Sequence, residues 1–305
     1  MFKFEREQKI FEIDGVRIGG QLGQLPTVMM GSIFYHKHKI VKDEKKGVFD
    51  KDKAEELLKK EEELSIETGN PRIVDVCCSW PQAFEKFIDF IADIIDGPFA
   101  IDGPTAEVRI AGVKYVSETG LSKRVVYNSI TPYTKEEEIQ AIRDAGIKSA
   151  IFLAYNTRKP TIEGRLEVID KLLEIAEKAG IENILIDAMI LDIPDPGPVS
   201  KAIYLVKREY GYPVGAGLHN AIDRWRERRR LTREEYDMAS AIANAFAIFA
   251  GADFVLYGPI ENARTAYFAC SLADAYVAYS MRQEYRIRPL VKDHPLLKIF
   301  TRSKV

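Results

Sequence analysis

Cysteine is scarce. Three residues in 305, Cys77, Cys78 and Cys270, exclude a disulfide framework. Two of them are adjacent, a spacing at which cysteines rarely pair. No Cys/His set shows the separation of a structural metal site. The composition predicts a reduced, intracellular chain. A basic excess is also missing. Lys and Arg number 44 against 46 Asp and Glu, for a formal charge of −2, which argues against a general nucleic-acid binder. No run of about eighteen uncharged apolar residues occurs, so no membrane span is expected. The opening Met1-Phe2-Lys3-Phe4-Glu5-Arg6-Glu7 lacks the apolar stretch of a secretory signal. A dinucleotide fingerprint is absent too. Gly19-Gly20-Gln21-Leu22-Gly23 precedes the first long strand candidate instead of opening a helix, which argues against a doubly wound open sheet.

What is present is a core and a repeat. Apolar residues make up 46% of the chain, enough to bury a substantial interior. Lys9 to Ile13 and Val16 to Ile18 flank Asp14-Gly15 and predict a hairpin. Eight strand-then-helix units follow. Their strands are expected at Thr27–Met30, Ile73–Val76, Phe99–Ile101, Val125–Tyr127, Ala150–Leu153, Asn183–Ile186, Val214–Ala216 and Phe254–Tyr257. Their helices are expected from about Asp50, Gln82, Ala106, Thr134, Thr161 and Pro198, then to Ala250 with a break near Leu231-Thr232, and last over Asn262–Tyr285. Thr134 with Glu137 reads as a capping box, and Gly180 as the stop of a helix begun at Thr161. Parallel strands need helical crossovers, and strands covered on both faces are continuously apolar. Eight such units in roughly 250 residues predict a (β/α)₈ TIM barrel. The chain reads as one barrel domain over 1–305, with an N-terminal β-hairpin within 1–25 and a C-terminal extension from 286.

Five apolar runs end in an acid or an amide: Ile73-Val74-Asp75, Ala100-Ile101-Asp102, Val126-Tyr127-Asn128, Leu185-Ile186-Asp187 and Gly217-Leu218-His219-Asn220. Barrel active sites lie at the carboxyl ends of the strands, so these side chains are expected around one cleft. A carboxylate-rich Mg²⁺ site is one reading of the ring. A mixture of acids and amides suits a neutral heterocycle better, because a carboxylate accepts from an amine and a neighbouring ring N–H together. Local alternatives stand beside this. Asp102-Gly103-Pro104-Thr105 also reads as a turn into a helix, Asn128-Ser129 as a helix cap, and His219 as a loop histidine bonded to backbone. Cys77 and Cys78 read as small packing residues. The basic cluster Arg224–Arg230 is either a solvated face or a contact for an anion or an acidic partner. The charged stretch His36–Lys46 has the length of a lid.

Beyond local patterns, Met1-Phe2-Lys3-Phe4, Gly31-Ser32-Ile33-Phe34-Tyr35, Gly69-Asn70-Pro71, Ala106-Glu107-Val108-Arg109-Ile110, Tyr127-Asn128-Ser129-Ile130 and Gly217-Leu218-His219-Asn220-Ala221 occur in order along nearly the whole chain. In these segments the chain resembles the family of H subunits of tetrahydromethanopterin S-methyltransferases. More distantly it resembles the pterin-binding barrels of methyltetrahydrofolate–corrinoid methyltransferases and dihydropteroate synthases. The resemblance implies a barrel, a homodimer, and transfer of a methyl group from methyl-tetrahydromethanopterin, the substrate, to a Co(I) cobamide (corrinoid) supplied by a partner subunit. It further implies a peripheral cytoplasmic place in an archaeal complex whose membrane subunits complete methyl-coenzyme M formation and sodium transport in methanogenesis. Pterin barrels hold the ring by an Asp, an Asn and an Asp after strands two, four and six, matched by Asp75, Asn128 and Asp187. Their Asn after strand seven reaches the methyl-bearing nitrogen and matches Asn220, which is assigned the catalytic role. Asp102 is a further substrate contact, and no resident metal is implied. The stretch Cys77-Cys78-Ser79-Trp80 departs from the small polar loop of those barrels.

Three other readings compete. A dihydropteroate synthase needs a basic residue near strand seven, where Gly217-Leu218-His219-Asn220 offers no Lys. A corrinoid methyltransferase could act on methyltetrahydrofolate or a methylated amine, but a quaternary ammonium donor favours aromatic cages over Asp75 and Asp187. A docking subunit without catalysis would not need the polar ring.

Overall fold

The computed structural model describes residues 1–191 and 195–300. The chain opens with the expected hairpin, β1 (Ile10–Ile13) and β2 (Val16–Gly19), paired antiparallel across Asp14-Gly15. Then come β3 (Val28–Ile33), a second small hairpin of β4 (Val41–Asp43) and β5 (Val48–Phe49), α1 (Lys51–Thr68), β6 (Arg72–Cys77), α2 (Pro81–Ile94), β7 (Phe99–Asp102) and α3 (Ala106–Glu118). The middle of the chain forms β8 (Val125–Ile130), α4 (Glu136–Asp144), β9 (Ser149–Leu153), α5 (Ile162–Glu167), α6 (Ile169–Ala179), β10 (Asn183–Asp187) and α7 (Pro196–Glu209). It closes with β11 (Val214–Ala216), α8 (His219–Arg229), α9 (Arg233–Ala250), β12 (Phe254–Pro259), α10 (Ala263–Tyr285) and α11 (Pro295–Phe300). Strands β3, β6, β7, β8, β9, β10, β11 and β12 pair in parallel in that order and close on themselves as a barrel. The (β/α)₈ architecture and its hairpin are therefore as the sequence led us to expect. Among the described residues, no helix is long and apolar enough to cross a membrane.

Period-two alternation divides each strand between two cores. Val28, Met30, Ile73, Ala100, Val126, Ile151, Leu185, Phe254 and Leu256 point inward and form the barrel interior. Their neighbours Met29, Val74, Ile101, Val125, Phe152, Ile186 and Val255 point outward, into the larger core shared with the helices. Ile13 and Ile18 of the first hairpin belong to the interior set, so the hairpin plugs the amino-terminal end of the barrel. Polar groups at that end are paired. Asp274 of α10 accepts from the Thr27 amide at 2.9 Å, the Thr27 hydroxyl at 2.8 Å and the Asn70 amide at 2.6 Å. Lys207 of α7, fully buried, donates to both Asp253 oxygens and to the Gly20 carbonyl.

Helix boundaries follow local chemistry. Asp50 caps α1, and Gly69, at φ 84°, ends it; buried Ala54, Leu58, Glu61, Leu64 and Thr68 recur at three- and four-residue spacing along its inner stripe. Thr232 and Glu235 form a full capping box that starts α9, so the break expected near Leu231-Thr232 is present. The box expected at Thr134 is not. The Thr134 hydroxyl instead accepts from the Thr131 amide at 2.8 Å in a tight turn, and α4 begins two residues later behind Lys135. The helix expected from Thr161 to Ala179 breaks at Val168 into α5 and α6, ending at Gly180 as expected. Strands β3 and β12 run past their expected ends at Met30 and Tyr257, and α7 starts at Pro196 rather than Pro198. Of the extension from 286, residues 301–305 lie outside the described residues.

If the hairpin is a plug, Ile18→Ala opens a void inside the barrel. We predict a loss of about 2–5 kcal/mol in urea unfolding free energy. A loss below about 0.5 kcal/mol, the size of an ordinary surface substitution, would show that the hairpin is an appendage.

Candidate active site

At the carboxyl end the inward-facing positions turn polar. Ser32 follows Met30 on β3, Asp75 and Cys77 follow Ile73 on β6, Asp102 follows Ala100 on β7, Asn128 follows Val126 on β8, and Asp187 follows Leu185 on β10. Strand register sets their heights. Ser32 lies beside Asp75, while Cys77 lies beside Asp102 and Asp102 beside Asn128 one layer nearer the mouth. All five sequence-derived residues, Asp75, Asp102, Asn128, Asp187 and Asn220, line one cavity of about 1010 Å³.

The carboxylates are not equivalent. Asp75 is the deepest, and three donors inside the protein already face it. Ser32 donates to Oδ2 at 2.7 Å, the Cys77 thiol to the same oxygen at 3.5 Å, and the Asn128 amide to Oδ1 at 3.2 Å. Burial raises its pKa against these donors. Asp102 has fewer partners. The Cys77 thiol lies 3.8 Å from Oδ2, and Arg109 acts on it through charge. Burial and then the Asp75 charge push its pKa up to about 8, so at neutral pH it is largely protonated. Among the described residues, Asp187 accepts one side-chain hydrogen bond, from the Met189 amide to Oδ1 at 2.7 Å. Burial raises its pKa to about 6, opposed by that bond and by Arg165. Positive φ at Met189, 49°, turns the amide back onto the carboxylate.

Two arginines hold the loops that carry these groups. Arg109 donates to the Gly103 carbonyl at 2.6 Å and to Glu138 and Tyr127, fixing the turn after Asp102. Arg165, which is buried, donates to the Met189 carbonyl at 3.0 Å and to Asp195 at 2.6 Å, fixing the turn after Asp187. Thr105 caps α3, so Asp102-Gly103-Pro104-Thr105 is a helix-entry turn and a cavity wall together.

Residues after β11 occupy the opposite rim. His219 Nδ1 lies 3.0 Å from the Leu256 carbonyl, which only accepts, so Nδ1 carries the proton. Burial lowers its pKa, leaving a neutral ring with Nε2 unprotonated. Gly258 makes room for it: a Cβ there would stand 2.4 Å from His219 Cδ2. Asn220, in the first turn of α8, is exposed and makes no side-chain hydrogen bond among the described residues. Asn128-Ser129 caps no helix, since α4 begins at Glu136.

Other expectations change. Cys77 is not a packing residue. Its thiol lines the cavity between Asp75 and Asp102, and burial, then the Asp75 charge, keeps it protonated. Asp75, Cys77 and Asp102 place donor atoms within 4.8 Å of one another, as a cation site does, but with the thiol protonated they form a hydrogen-bond chain. The stretch His36–Lys46 is anchored at its start. His38, buried, accepts from the Phe34 amide and donates to Glu261 at 3.0 Å, and the Tyr35 hydroxyl bonds the same carboxylate. Ser32, Arg109 and Arg165 were not expected from the sequence. Ser32 alone left a signal, two residues beyond Met30 on the inward face.

A family model described as the tetrahydromethanopterin S-methyltransferase MtrH subunit matches residues 6–290. The chain belongs to this family. The H subunit of tetrahydromethanopterin S-methyltransferase from Methanothermobacter marburgensis is 42% identical over 311 residues, covering 98% of this chain and 100% of the relative. The protein of the same name from Methanocaldococcus jannaschii is 41% identical over 320 residues, covering 98% and 100%. Among solved structures, dihydropteroate synthase from Xanthomonas albilineans in complex with 7,8-dihydropteroate superposes with a TM-score of 0.59 at 16% identity, over 88% of this chain and 98% of that one. The Yersinia pestis enzyme with a pterine–sulfa conjugate gives 0.63 at 11% identity, over the same shares. At such identities the likeness concerns the barrel alone.

The raised carboxyls make a pH prediction. A folded pKa of about 8 at Asp102 stands above the ordinary value near 3.9, so the folded state holds that proton more tightly than the unfolded state. The contribution to stability is full below the unfolded value and is lost as pH climbs through the folded one. Denaturation midpoints of the ligand-free protein should fall between pH 6 and 8, and Asp102→Asn should flatten that fall. An unchanged slope in the variant would contradict the assignment.

Proposed function

We propose that this barrel binds N5-methyl-tetrahydromethanopterin at its mouth and presents the methyl group to the Co(I) cobamide of a partner corrinoid subunit. In this reading the whole chain is one barrel domain, peripheral and cytoplasmic, within a complex whose membrane subunits complete methyl-coenzyme M formation and sodium pumping. The observation that carries the pterin assignment is the pair of underused carboxylates, Asp102 and Asp187, facing one cavity with Asn128 between their strands. As carboxylates they take N–H donors from the amine-bearing edge of the ring. Asn128, held by Asp75, offers its carbonyl oxygen to the same ring. Asp75 thus acts as a positioning residue, with its acceptor sites already in use.

The cobamide, carried by the partner, supplies the cobalt nucleophile, so this chain needs no nucleophilic Ser or Cys. Its residues orient the ring and stabilise N5 as the C–N bond breaks. Asn220 stands at the rim with an unengaged amide and hydrogen-bonds N5. His219 does not donate the proton, because its Nε2 is unprotonated and its Nδ1–H is committed to Leu256. The proton reaches N5 from solvent past Asn220.

A homodimer fits the far side of the molecule. Met238, Ile242 and Phe246 form an exposed stripe on α9, and Phe268, Tyr276 and Tyr279 form another on α10. Between the two helices runs an apolar groove of about 750 Å³. Ile242 is 70% exposed and Phe268 66%, which favours a covering partner, and we assign a second copy of the chain.

Two measurements follow. Asp102→Asn and Asp187→Asn should each weaken methyl-pterin binding ten-fold or more, and Asn220→Ala should cut Co(I) methylation by a similar factor at saturating pterin. Values within two-fold of wild type for all three would sink the assignment. Sedimentation should give a dimer that Ile242→Lys with Phe268→Glu converts to a folded monomer; a wild-type monomer would exclude the dimer.

A further inference from the structure

The cavity is larger than the ring site. Its volume of about 1010 Å³ lies at the upper end of small-molecule pockets, whereas Asp102, Asn128 and Asp187 occupy only its floor. The remaining space climbs the face of α8 to Leu231. Two arginines one turn apart, Arg226 and Arg230, line that part. Both side chains are exposed, and among the described residues neither forms an ion pair. Asp223 and Glu227, each three residues before one of the arginines, offset part of the repulsion between like charges at this spacing. Another member of the basic cluster, Arg224, donates to the Leu191 carbonyl at 2.8 Å.

The arginines are placed from below. The Arg226 guanidinium lies over the Tyr236 ring at 5.0 Å from its centroid, and Asp223 holds the Tyr236 hydroxyl. Arg230 caps α8 in the left-handed region at φ 53°, a position where glycine is the unstrained residue. A backbone strained at an arginine on a cavity wall points to use of the side chain. Asp223 and Glu227 also line this wall, so the wall is of mixed charge with two fork-shaped donors.

We infer that Arg226 and Arg230 bind an oxyanion, phosphate or carboxylate, on the appendage that the pterin ring carries. This pair sets specificity for the tailed substrate over the bare ring. The inference rests on the pterin reading of the cavity floor.

The test compares two ligands on wild type and on Arg226→Gln/Arg230→Gly. One ligand is methyl-tetrahydromethanopterin and the other is 5-methyl-tetrahydropterin, which lacks the appendage. The readout is the ratio of their affinities. Glycine removes the strain at 230, so thermal unfolding checks that the variant is folded. We expect wild type to favour the tailed ligand, with the double variant reducing that preference at least ten-fold. In wild type the preference should also shrink as salt rises. A ratio unchanged within two-fold would overturn the inference and leave the pterin reading standing. Failure of wild type to bind either ligand would overturn both.

Discussion

Alternation along parallel strands is the constraint on which everything else depends. Every second side chain must enter the barrel, and eight strands deliver those side chains to one axis. Where the interior is apolar this produces a packed plug, from the Ile13 and Ile18 hairpin up through Ile73, Ala100, Val126 and Leu185. Two residues further on, the same parity delivers Asp75, Asp102, Asn128 and Asp187 to the mouth. The two ends of the barrel then treat polar groups differently. At the bottom Asp274 and Asp253 are surrounded by donors, so they tie elements together. Burial raises the pKa of acids at both ends, but at the top Asp102 and Asp187 have few donors to offset it. That shortfall is what a ligand with N–H groups would supply.

The site is stiff because its carboxylates are held indirectly. Arg109 and Arg165 grip the carbonyls of Gly103 and Met189 rather than the acids themselves. Each fixes the turn and lowers the neighbouring acid's pKa by charge without saturating it. Asp75 takes the opposite role and spends its acceptor sites on Ser32, Cys77 and Asn128. Three aspartates at similar strand positions thus divide into one internal support and two open acceptors.

Most of the fold was legible because each unit carries its own signals: an apolar run, a turn, an amphipathic helix. Asp14-Gly15 set the hairpin and Gly180 ended α6, both through backbone preferences that are local. Thr134 misled because two hydrogen-bonding outcomes compete for one hydroxyl, and the tight turn with Thr131 won. The membership of the site was legible, but the ranking within it was not. Whether Asp75 or Asp102 is open depends on the register between β3, β6, β7 and β8, which places Ser32 against one and Asn128 beside the other. No single segment encodes that register. Cys77 was read as a packing residue by composition, although its parity with Asp75 already aimed it into the barrel. Arg109 and Arg165 act across distances of 29 and 30 residues, onto Glu138 and Asp195, and leave no local trace.

The central claim is that a partly protonated pair of acids becomes a pair of carboxylates when the ring binds. Calorimetric titration of methyl-tetrahydromethanopterin at pH 7, repeated in buffers of different ionisation enthalpy, counts the protons exchanged on binding. The account predicts net release approaching one proton, most of it from Asp102 and largely abolished in Asp102→Asn. Proton uptake, or no exchange in wild type, would contradict it.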